Sequence, residues 1–209
     1  MMTYLVLIRH GESEWNAKSL WTGWTDVELT EKGRGQARDT GSLLKDIKFD
    51  ICFISKLKRA KSTWDEIRMQ IHVEEIATIE DKALNERDYG DLTGKNKWKI
   101  KEEYGEEQFQ KWRRSWDIRP PNGESLKDVF DRVIPYYKIK ILPELRNGKN
   151  VIVVAHGNSL RALIKYLENI PDGEIAEVEI GFSEAYVYEF DREGKIVGKE
   201  VRTAGAEVA

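Results

Sequence analysis

Two of the three histidines in this chain lie in nearly the same sequence setting. His10 and His156 each closely follow a short apolar run, at residues 5–8 and 151–155, and each begins a His-Gly-x-Ser segment. Short runs rich in β-branched residues are typical of buried parallel strands, so both imidazoles are expected near the carboxyl ends of strands. Ligands bind at that edge of an open α/β sheet. The repeated pattern therefore predicts one site that contains both histidines.

The residues around His10 favour attack on an anion. A neutral imidazole is a competent nucleophile near neutral pH, because its ordinary pKa is about 6.5. Arg9 disfavours proton uptake by its neighbour but attracts a negatively charged ligand. Gly11 leaves backbone N–H groups accessible, and Ser13 and Asn16 add neutral donors. This combination suits a histidine that attacks an anion, for which phosphoryl transfer is a candidate reaction.

The setting of His156 suggests stabilisation of the transferred group. A predicted helix at residues 159–168 follows it directly. The amino terminus of a helix offers unpaired N–H groups and a partial positive charge, so anions bind there. A protonated or hydrogen-bond-donating His156 would stabilise charge on the phosphoryl oxygens. His72 has no such motif around it and is interpreted as an ordinary structural residue.

Arginines occur at three further positions that could serve the same site. Arg59 follows the predicted strand at residues 51–54 and should lie at the same sheet edge. Arg113 and Arg114 stand between two tryptophans and could hold a carboxylate or a second phosphate with bidentate geometry. A solvated helix face explains the last two equally well.

Composition argues against several other classes of protein. The net charge of −3 does not indicate a nucleic-acid binder, and no apolar stretch approaches the roughly 20 residues of a membrane span. The single cysteine, Cys52, lies in an apolar run and is expected in the core. No metal motif, Walker loop or dinucleotide fingerprint is present. We therefore expect a soluble cytoplasmic protein without a metal, a nucleic acid or a membrane as partner.

The elements that must position these residues alternate between strands and helices. Apolar runs predict strands at residues 4–8, 51–54, 151–155 and 185–190, with a weaker one at 73–78. Periodicity and capping predict helices at residues 30–47, around 64–71, at 125–141 with a kink at Pro135, and at 159–168. The aromatic-rich residues 84–124 are interpreted as an inserted lid. The prediction is one α/β domain over residues 1–209, a three-layer α/β/α sandwich with a mostly parallel sheet and helices on both faces.

Several motifs resemble the cofactor-dependent phosphoglycerate mutases of the histidine phosphatase superfamily. They lie in collinear order at residues 7–16, 22–24, 84–90, 112–114 and 155–163, and the similarity covers about residues 4–168. The Arg-His-Gly motif marks only the superfamily. The Leu-Asn-Glu-Arg-x-Tyr-Gly motif and the Trp-Arg-Arg motif narrow the resemblance to the mutase branch.

The resemblance implies a reaction and a set of roles. His10 would become phosphohistidine after priming by 2,3-bisphosphoglycerate, Glu86 would act as general acid and base, and His156 would stabilise the transferring group. The substrates would be the small three-carbon acids 3-phosphoglycerate and 2-phosphoglycerate, interconverted in glycolysis and gluconeogenesis without a metal. The implied phosphate and substrate contacts are Arg9, Ser13, Asn16, Thr22, Gly23, Arg59, Arg87, Tyr89, Lys97, Arg113, Arg114, Gly157 and Asn158.

Three departures from the family pattern leave alternatives open. The segment at residues 119–125 is short where many members have longer subunit-contact segments, so a monomer or small homo-oligomer is expected. Residues 180–185 replace the usual Thr-Gly-x-Pro loop and bring the charge of Glu184 toward an anion site. The tail after Val201 is short. A phosphatase using the same residues is therefore the alternative, and a catalytically silent binding domain is a third interpretation.

Overall fold

A six-stranded sheet forms the centre of the molecule. The computed structural model describes residues 2–73 and 75–205. Its strands are β1 (Thr3–Arg9), β2 (Ile51–Ile54), β3 (Ala77–Glu80), β4 (Val151–Ala155), β5 (Glu184–Phe190) and β6 (Ile196–Thr203). They are ordered β3-β2-β4-β1-β5-β6, with the first four parallel to one another and β5 antiparallel to both of its neighbours. The predicted, mostly parallel sheet is confirmed.

Helices cover both faces of this sheet. They are α1 (Glu14–Ala17), α2 (Glu31–Ser42), α3 (Lys58–Gln70), α4 (Lys97–Arg114), α5 (Leu126–Tyr136), α6 (Leu142–Arg146) and α7 (Gly157–Glu168). Successive side chains of β1 point to opposite faces, so Leu5 packs with residues of α5 and α7 and Val6 with residues of α3. Both faces of the central strands are buried, which explains their continuous apolar runs. The α/β/α arrangement is therefore confirmed.

Two strands differ from the sequence prediction. The weak strand expected at residues 73–78 lies at Ala77–Glu80, because α3 extends to Gln70 and a turn with a positive φ at His72 follows it. Residue 74 of that expected strand lies outside the described residues. Strand β6 was not predicted, since it runs along the sheet edge with mostly exposed or half-exposed polar residues. An edge strand of this kind has no continuous apolar run for a sequence pattern to reveal.

Two helices end earlier than predicted. Helix α2 stops at Ser42 instead of residue 47, because the chain then turns to bury Leu44 and Ile47 in the core. Helix α5 stops at Tyr136, and a π-helical turn over Tyr137–Ile141 leads into α6. Pro135 lacks an N–H group, so the regular hydrogen-bond ladder is interrupted where the wider turn begins.

The segment predicted as a lid, residues 84–124, contains α4 and one complete turn of 3-10 helix at Gly90–Leu92. Helix α4 bends at Gly105, whose φ of +81° lies in the left-handed region that favours glycine. Its apolar side chains and Trp21 form a small cluster separate from the two cores of the sheet. The carbonyl groups of Trp112 and Arg113 at the end of α4 accept hydrogen bonds from the buried guanidinium of Arg87. These hydrogen bonds fix the carboxyl end of α4 at the edge of the sheet.

Candidate active site

The two histidines meet because their strands are neighbours in register. In the parallel pair of β1 and β4, Arg9 lies opposite Ala155, so the next residue of each strand is a histidine. The backbone N–H of His10 donates to the Ala155 carbonyl oxygen at 3.0 Å. The ring centroids of His10 and His156 are 4.9 Å apart. The structure therefore brings both imidazoles together at one edge of the sheet, as predicted.

The hydrogen bond of His10 fixes its tautomer. Its Nδ1 lies 2.6 Å from the Gly11 carbonyl oxygen, and because a carbonyl can only accept, Nδ1 carries the proton. In the neutral ring, Nε2 then keeps its lone pair. Burial, followed by the positive charges of Arg59 and Arg9, lowers the pKa of His10 well below its ordinary value. The ring is thus a neutral imidazole whose Nε2 can act as a nucleophile.

His156 has the opposite tautomer in its neutral form. Its Nε2 lies 2.7 Å from Ser55 Oγ, and that hydroxyl directs its single proton to Asn85 Oδ1 at 3.0 Å. The backbone N–H of Lys56 also donates to Asn85 Oδ1, which identifies this atom as the oxygen. His156 Nε2 must therefore donate to Ser55, and Nδ1 is left as the titrating atom. Burial and then Arg59 lower the pKa of His156 well below its ordinary value.

Arg59 is held against the two histidines by backbone oxygens. It is fully buried, and its two terminal nitrogens donate to the carbonyl oxygens of Thr25 and Gly23 at 2.9 and 2.8 Å. Burial lowers its pKa to about 10, which leaves it charged at neutral pH. Within the described part of the chain, four buried polar atoms around the histidines have no hydrogen-bond partner: Arg9 Nε, Arg59 Nε, Thr22 Oγ1 and His156 Nδ1. The two guanidinium nitrogens and the hydroxyl can donate, and His156 Nδ1 can do so once it is protonated. Buried donors without partners are costly, so their clustering indicates a place for an anion.

Glu86 is fixed beside this anion site by donors from two elements. Its Oε1 accepts from the backbone N–H of Arg87 at 2.7 Å and from Nδ2 of Asn158 at 3.0 Å. The same Asn158 amide also donates to the Tyr89 hydroxyl at 2.9 Å. Only 8% of Glu86 is exposed. A carboxylate held in one orientation next to an anion site is suited to general acid and base chemistry.

A cleft of about 380 Å³ opens beside Arg9 and Glu86. A smaller enclosed cavity of about 50 Å³ adjoins His10, Arg59 and Thr22. Burial and the charges of Arg113 and Arg9 lower the pKa of Lys97, at the cleft wall, to about 8. The cleft is lined by Arg9, Asn16, Trp21, Glu86, Tyr89, Lys97, Arg113, Arg114, Gly157, Asn158, Arg161, Glu179, Ile180, Gly181 and Phe182. Cations predominate on this wall, so the cleft is suited to a ligand that carries more than one negative charge.

Comparisons with known proteins agree with this geometry. The sequence model of the histidine phosphatase superfamily (branch 1) matches residues 5–201. The chain belongs to this superfamily. A 2,3-bisphosphoglycerate-dependent phosphoglycerate mutase of Cytophaga hutchinsonii is 52% identical over 90% of this chain and 88% of its own length. The protein of the same name from Mesorhizobium japonicum is 48% identical over 96% and 98%. The resemblance inferred from the motifs is therefore confirmed.

A solved structure of the superfamily shows the same fold at lower identity. Bacillus stearothermophilus YhfR superposes with a TM-score of 0.81, covering 97% of this chain and 96% of its own, at 27% identity. No group of three or more His, Cys, Asp or Glu side chains in residues 2–73 and 75–205 could hold a metal ion. No described helix is both long enough and apolar enough to cross a membrane.

Three of the residues predicted to contact a ligand are absent from the linings of the cleft and of the adjoining cavity. Ser13 caps α1, and its hydroxyl donates to Asn16 Oδ1 at 2.9 Å. The Gly23 carbonyl oxygen accepts from Arg59, and its φ of +53° favours glycine. The buried Arg87 donates to the end of α4. Each of them supports another part of the site, and its contact with a ligand stays a prediction.

Sequence reasoning assigned no role to three residues that shape the site. Ser55, at the end of β2, orients His156. The buried Arg161 of α7 donates to Asn158 Oδ1 at 3.0 Å and to the Ile175 carbonyl oxygen. Phe182 lies against Arg9 with 4.1 Å between the guanidinium carbon and the ring centroid. Ser55 could have been found from its place at a strand's carboxyl end, whereas the other two depend on packing between distant segments.

Gly157 offers a test of the cleft that should leave the fold intact. A Cβ at this position would lie 3.8 Å from both Arg9 Nε and Glu86 Oε2, in ordinary contact with the protein but inside the cleft. We expect Gly157→Ala to lower kcat/KM about 100-fold, because a displaced substrate loses its alignment, with little change in Tm. The matched control is Gly173→Ala, where a Cβ would meet no atom within 4 Å. Full activity in Gly157→Ala would show that the substrate does not occupy the part of the cleft beside Gly157.

The buried histidines predict an acid-sensitive fold. Both folded-state pKa values lie below the ordinary value, so the unfolded chain binds more protons once the pH falls below about 6.5. Stability from these two rings is present above that pH and is lost as the pH falls toward the folded-state values. Each histidine should contribute a slope of up to about 1.4 kcal/mol per pH unit.

Urea unfolding between about pH 6.5 and about pH 5.5 measures this slope, a range that starts at the ordinary histidine pKa. His10→Asn should remove the part of the slope that one histidine contributes. The control is His72→Asn, because His72 is exposed and has a positive φ that asparagine tolerates. An identical slope in the wild type and in His10→Asn would contradict the assignment of a neutral, buried His10.

Proposed function

We propose that this chain is a 2,3-bisphosphoglycerate-dependent phosphoglycerate mutase, which interconverts 3-phosphoglycerate and 2-phosphoglycerate in glycolysis and gluconeogenesis. One observation carries the proposal: the free Nε2 of a neutral His10 adjoins a cluster of unpaired anion-binding donors, and a cationic cleft wall extends from it. A phosphoglycerate has a phosphate at one position and a carboxylate at another. The names of the similar proteins support the same activity.

The phosphate pocket accounts for the phosphorylation of His10. His10 Nε2 attacks phosphorus as the bond from phosphorus to the departing oxygen breaks, while Nδ1–H keeps its hydrogen bond to the Gly11 carbonyl oxygen and stabilises the positive charge that develops on the ring. Arg9 and Arg59 supply fixed positive charge to the phosphoryl oxygens at no cost of reorganisation. Bound phosphate opposes the effect of both arginines on His156, so Nδ1 of that ring gains a proton and donates to the ligand. Thr22, Asn16 and the Gly157 backbone complete the pocket.

The primer fits the donors that the site leaves unpaired. When it is bound, 2,3-bisphosphoglycerate supplies the phosphoryl group that His10 must carry before the first turnover. Arg9 and Arg59 would hold the reacting phosphate, and Lys97, Arg113 and Arg114 at the outer cleft would hold the remaining charges. The described residues that line the cleft include two carboxylates, those of Glu86 and Glu179.

Glu86 moves the proton in each transfer. With His10 phosphorylated, the Glu86 carboxylate takes the proton of the substrate hydroxyl as the new O–P bond forms and the P–N bond breaks, returning the electron pair to Nε2. After the bisphosphorylated ligand reorients in the cleft, Nε2 attacks the other phosphoryl group. Glu86 then returns the proton to the departing oxygen. The products are 2-phosphoglycerate and phosphorylated His10, so the enzyme is ready for the next substrate.

A pulse–chase experiment tests the proposal. The enzyme is labelled with ³²P-2,3-bisphosphoglycerate, separated from free ligand and chased with unlabelled 3-phosphoglycerate. A mutase transfers the label to phosphoglycerates, whereas the phosphatase alternative releases it as inorganic phosphate. Failure to label the enzyme at all would favour a silent binding domain.

We extend the proposal to localisation and oligomeric state. We propose that the protein is cytoplasmic and is a monomer or small homo-oligomer, to be tested by cell fractionation and by light scattering.

A further inference from the structure

Phe182 is an aromatic side chain placed beside the reacting groups. It belongs to the segment at residues 180–185 that departs from the family motif. Its ring covers the Arg9 guanidinium at 4.1 Å, and its centroid lies 6.3 Å from that of His10. The ring is half-buried and lines the same cleft as Gly157. Phe182 therefore borders the cleft and lies near the imidazole that would carry the phosphoryl group.

The loop that carries Phe182 is held at both ends. The Ile180 carbonyl oxygen accepts from Arg9 at 2.8 Å, and the Gly181 N–H donates to Glu184 Oε2 at 2.7 Å. The Ser183 carbonyl oxygen accepts from the N–H of Ala204 beyond β6. Glu184, expected from the sequence to bring charge toward the anion site, is thus engaged within its own loop. The fixed backbone gives the Phe182 ring a defined position over Arg9.

Most of the cleft wall around this ring is polar. Charged or amide side chains make up much of this lining, among them Glu86, Asn158 and Arg113. Such groups bind water readily, whereas a benzyl side chain cannot donate to it or accept from it. An apolar ring next to His10 removes positions from which a water molecule could approach phosphorus.

We propose that Phe182 shields phosphorylated His10 from water and thereby sets the ratio of transfer to hydrolysis; this inference rests on the proposed mutase function. In the reaction that it suppresses, the oxygen of water forms a bond to phosphorus as the P–N bond breaks. The electron pair returns to Nε2, Nδ1 keeps its proton, and both water protons leave with inorganic phosphate. The step needs no reactant besides water.

The lifetime of the phosphoenzyme tests this role. Enzyme labelled from ³²P-2,3-bisphosphoglycerate is freed of ligand, and release of inorganic phosphate is followed over time. Phe182→Ala should shorten the lifetime about tenfold, a change of about 1.4 kcal/mol in the barrier, and this factor should exceed the factor by which labelling slows. Phe182→Leu, which keeps an apolar side chain in place, should restore most of the lifetime. The matched control is Trp98→Ala, because Trp98 is a lid aromatic that is 55% exposed and does not line the cleft.

Shielding of the phosphoenzyme and mere positioning of Arg9 give different results in this experiment. A normal lifetime in Phe182→Ala combined with slow labelling would overturn the proposal, because Phe182 would then only position Arg9. An equally short lifetime in Trp98→Ala would also overturn it, since loss of an aromatic side chain outside the cleft would then have the same effect. Absence of labelling in the wild type would instead contradict the proposed mutase function itself.

Discussion

Replacing His10 with asparagine is expected to lower mutase turnover by about 10⁴-fold or more, the scale of loss that follows removal of a catalytic nucleophile. An asparagine amide can still donate to the Gly11 carbonyl oxygen, as Nδ1 does at 2.6 Å in the wild type. The variant lacks Nε2 and therefore the lone pair that attacks phosphorus. Binding of phosphoglycerates should persist, because Arg9 and Arg59 remain in place.

Two measurements check this prediction. Mutase turnover is followed by the formation of 2-phosphoglycerate, and incorporation of ³²P from 2,3-bisphosphoglycerate reports phosphorylation. His72→Asn is the matched control and should be normal in both, since His72 is exposed and outside the cleft. A His10→Asn variant that still incorporates acid-labile phosphate would place the nucleophile elsewhere and would contradict the role given to His10.

Glu86→Gln is expected to lower turnover by about 10²- to 10⁴-fold, the usual contribution of a general acid and base. The amide preserves the shape of the side chain, and its oxygen can still accept from the N–H of Arg87 and the amide of Asn158. It cannot take up or return a proton. The loss should therefore fall on kcat, with a smaller effect on KM.

The leaving group distinguishes proton transfer from a positioning effect. With p-nitrophenyl phosphate as phosphoryl donor, the nitrophenolate departs without protonation, so labelling of His10 in Glu86→Gln should be far less impaired than with 2,3-bisphosphoglycerate. Glu14→Gln, at an exposed position of α1, is the control and should behave as the wild type with both donors. An equal loss with both donors would assign Glu86 a positioning role instead.

The parallel core of the fold could be predicted from the sequence because its strands are buried on both faces. The apolar runs of β1 and β4 show no alternation, and this pattern indicates such strands. The same reasoning failed for β6, whose half-exposed edge position gives a mixed pattern. Helix ends were also missed where the chain turns to bury a side chain, as at Leu44.

The part of the site that could be predicted from the sequence consists of residues that directly follow the ends of strands. His10 and His156 are brought together by the register of two parallel strands, which a repeated motif could suggest. Motif resemblance added Glu86, which no local pattern marks. The tautomer of His156 could not be predicted, because it depends on Ser55 at the end of another strand. The stacking of Phe182 on Arg9 likewise depends on how a distant loop packs.

The measurement that tests the central claim most directly follows the conversion of 3-phosphoglycerate by phosphorus NMR, with and without catalytic 2,3-bisphosphoglycerate. Accumulation of 2-phosphoglycerate that depends on the primer is the predicted result, because His10 must be phosphorylated before the substrate hydroxyl can be. Release of inorganic phosphate without formation of 2-phosphoglycerate would contradict the mutase assignment, since water would then be the acceptor of the phosphoryl group.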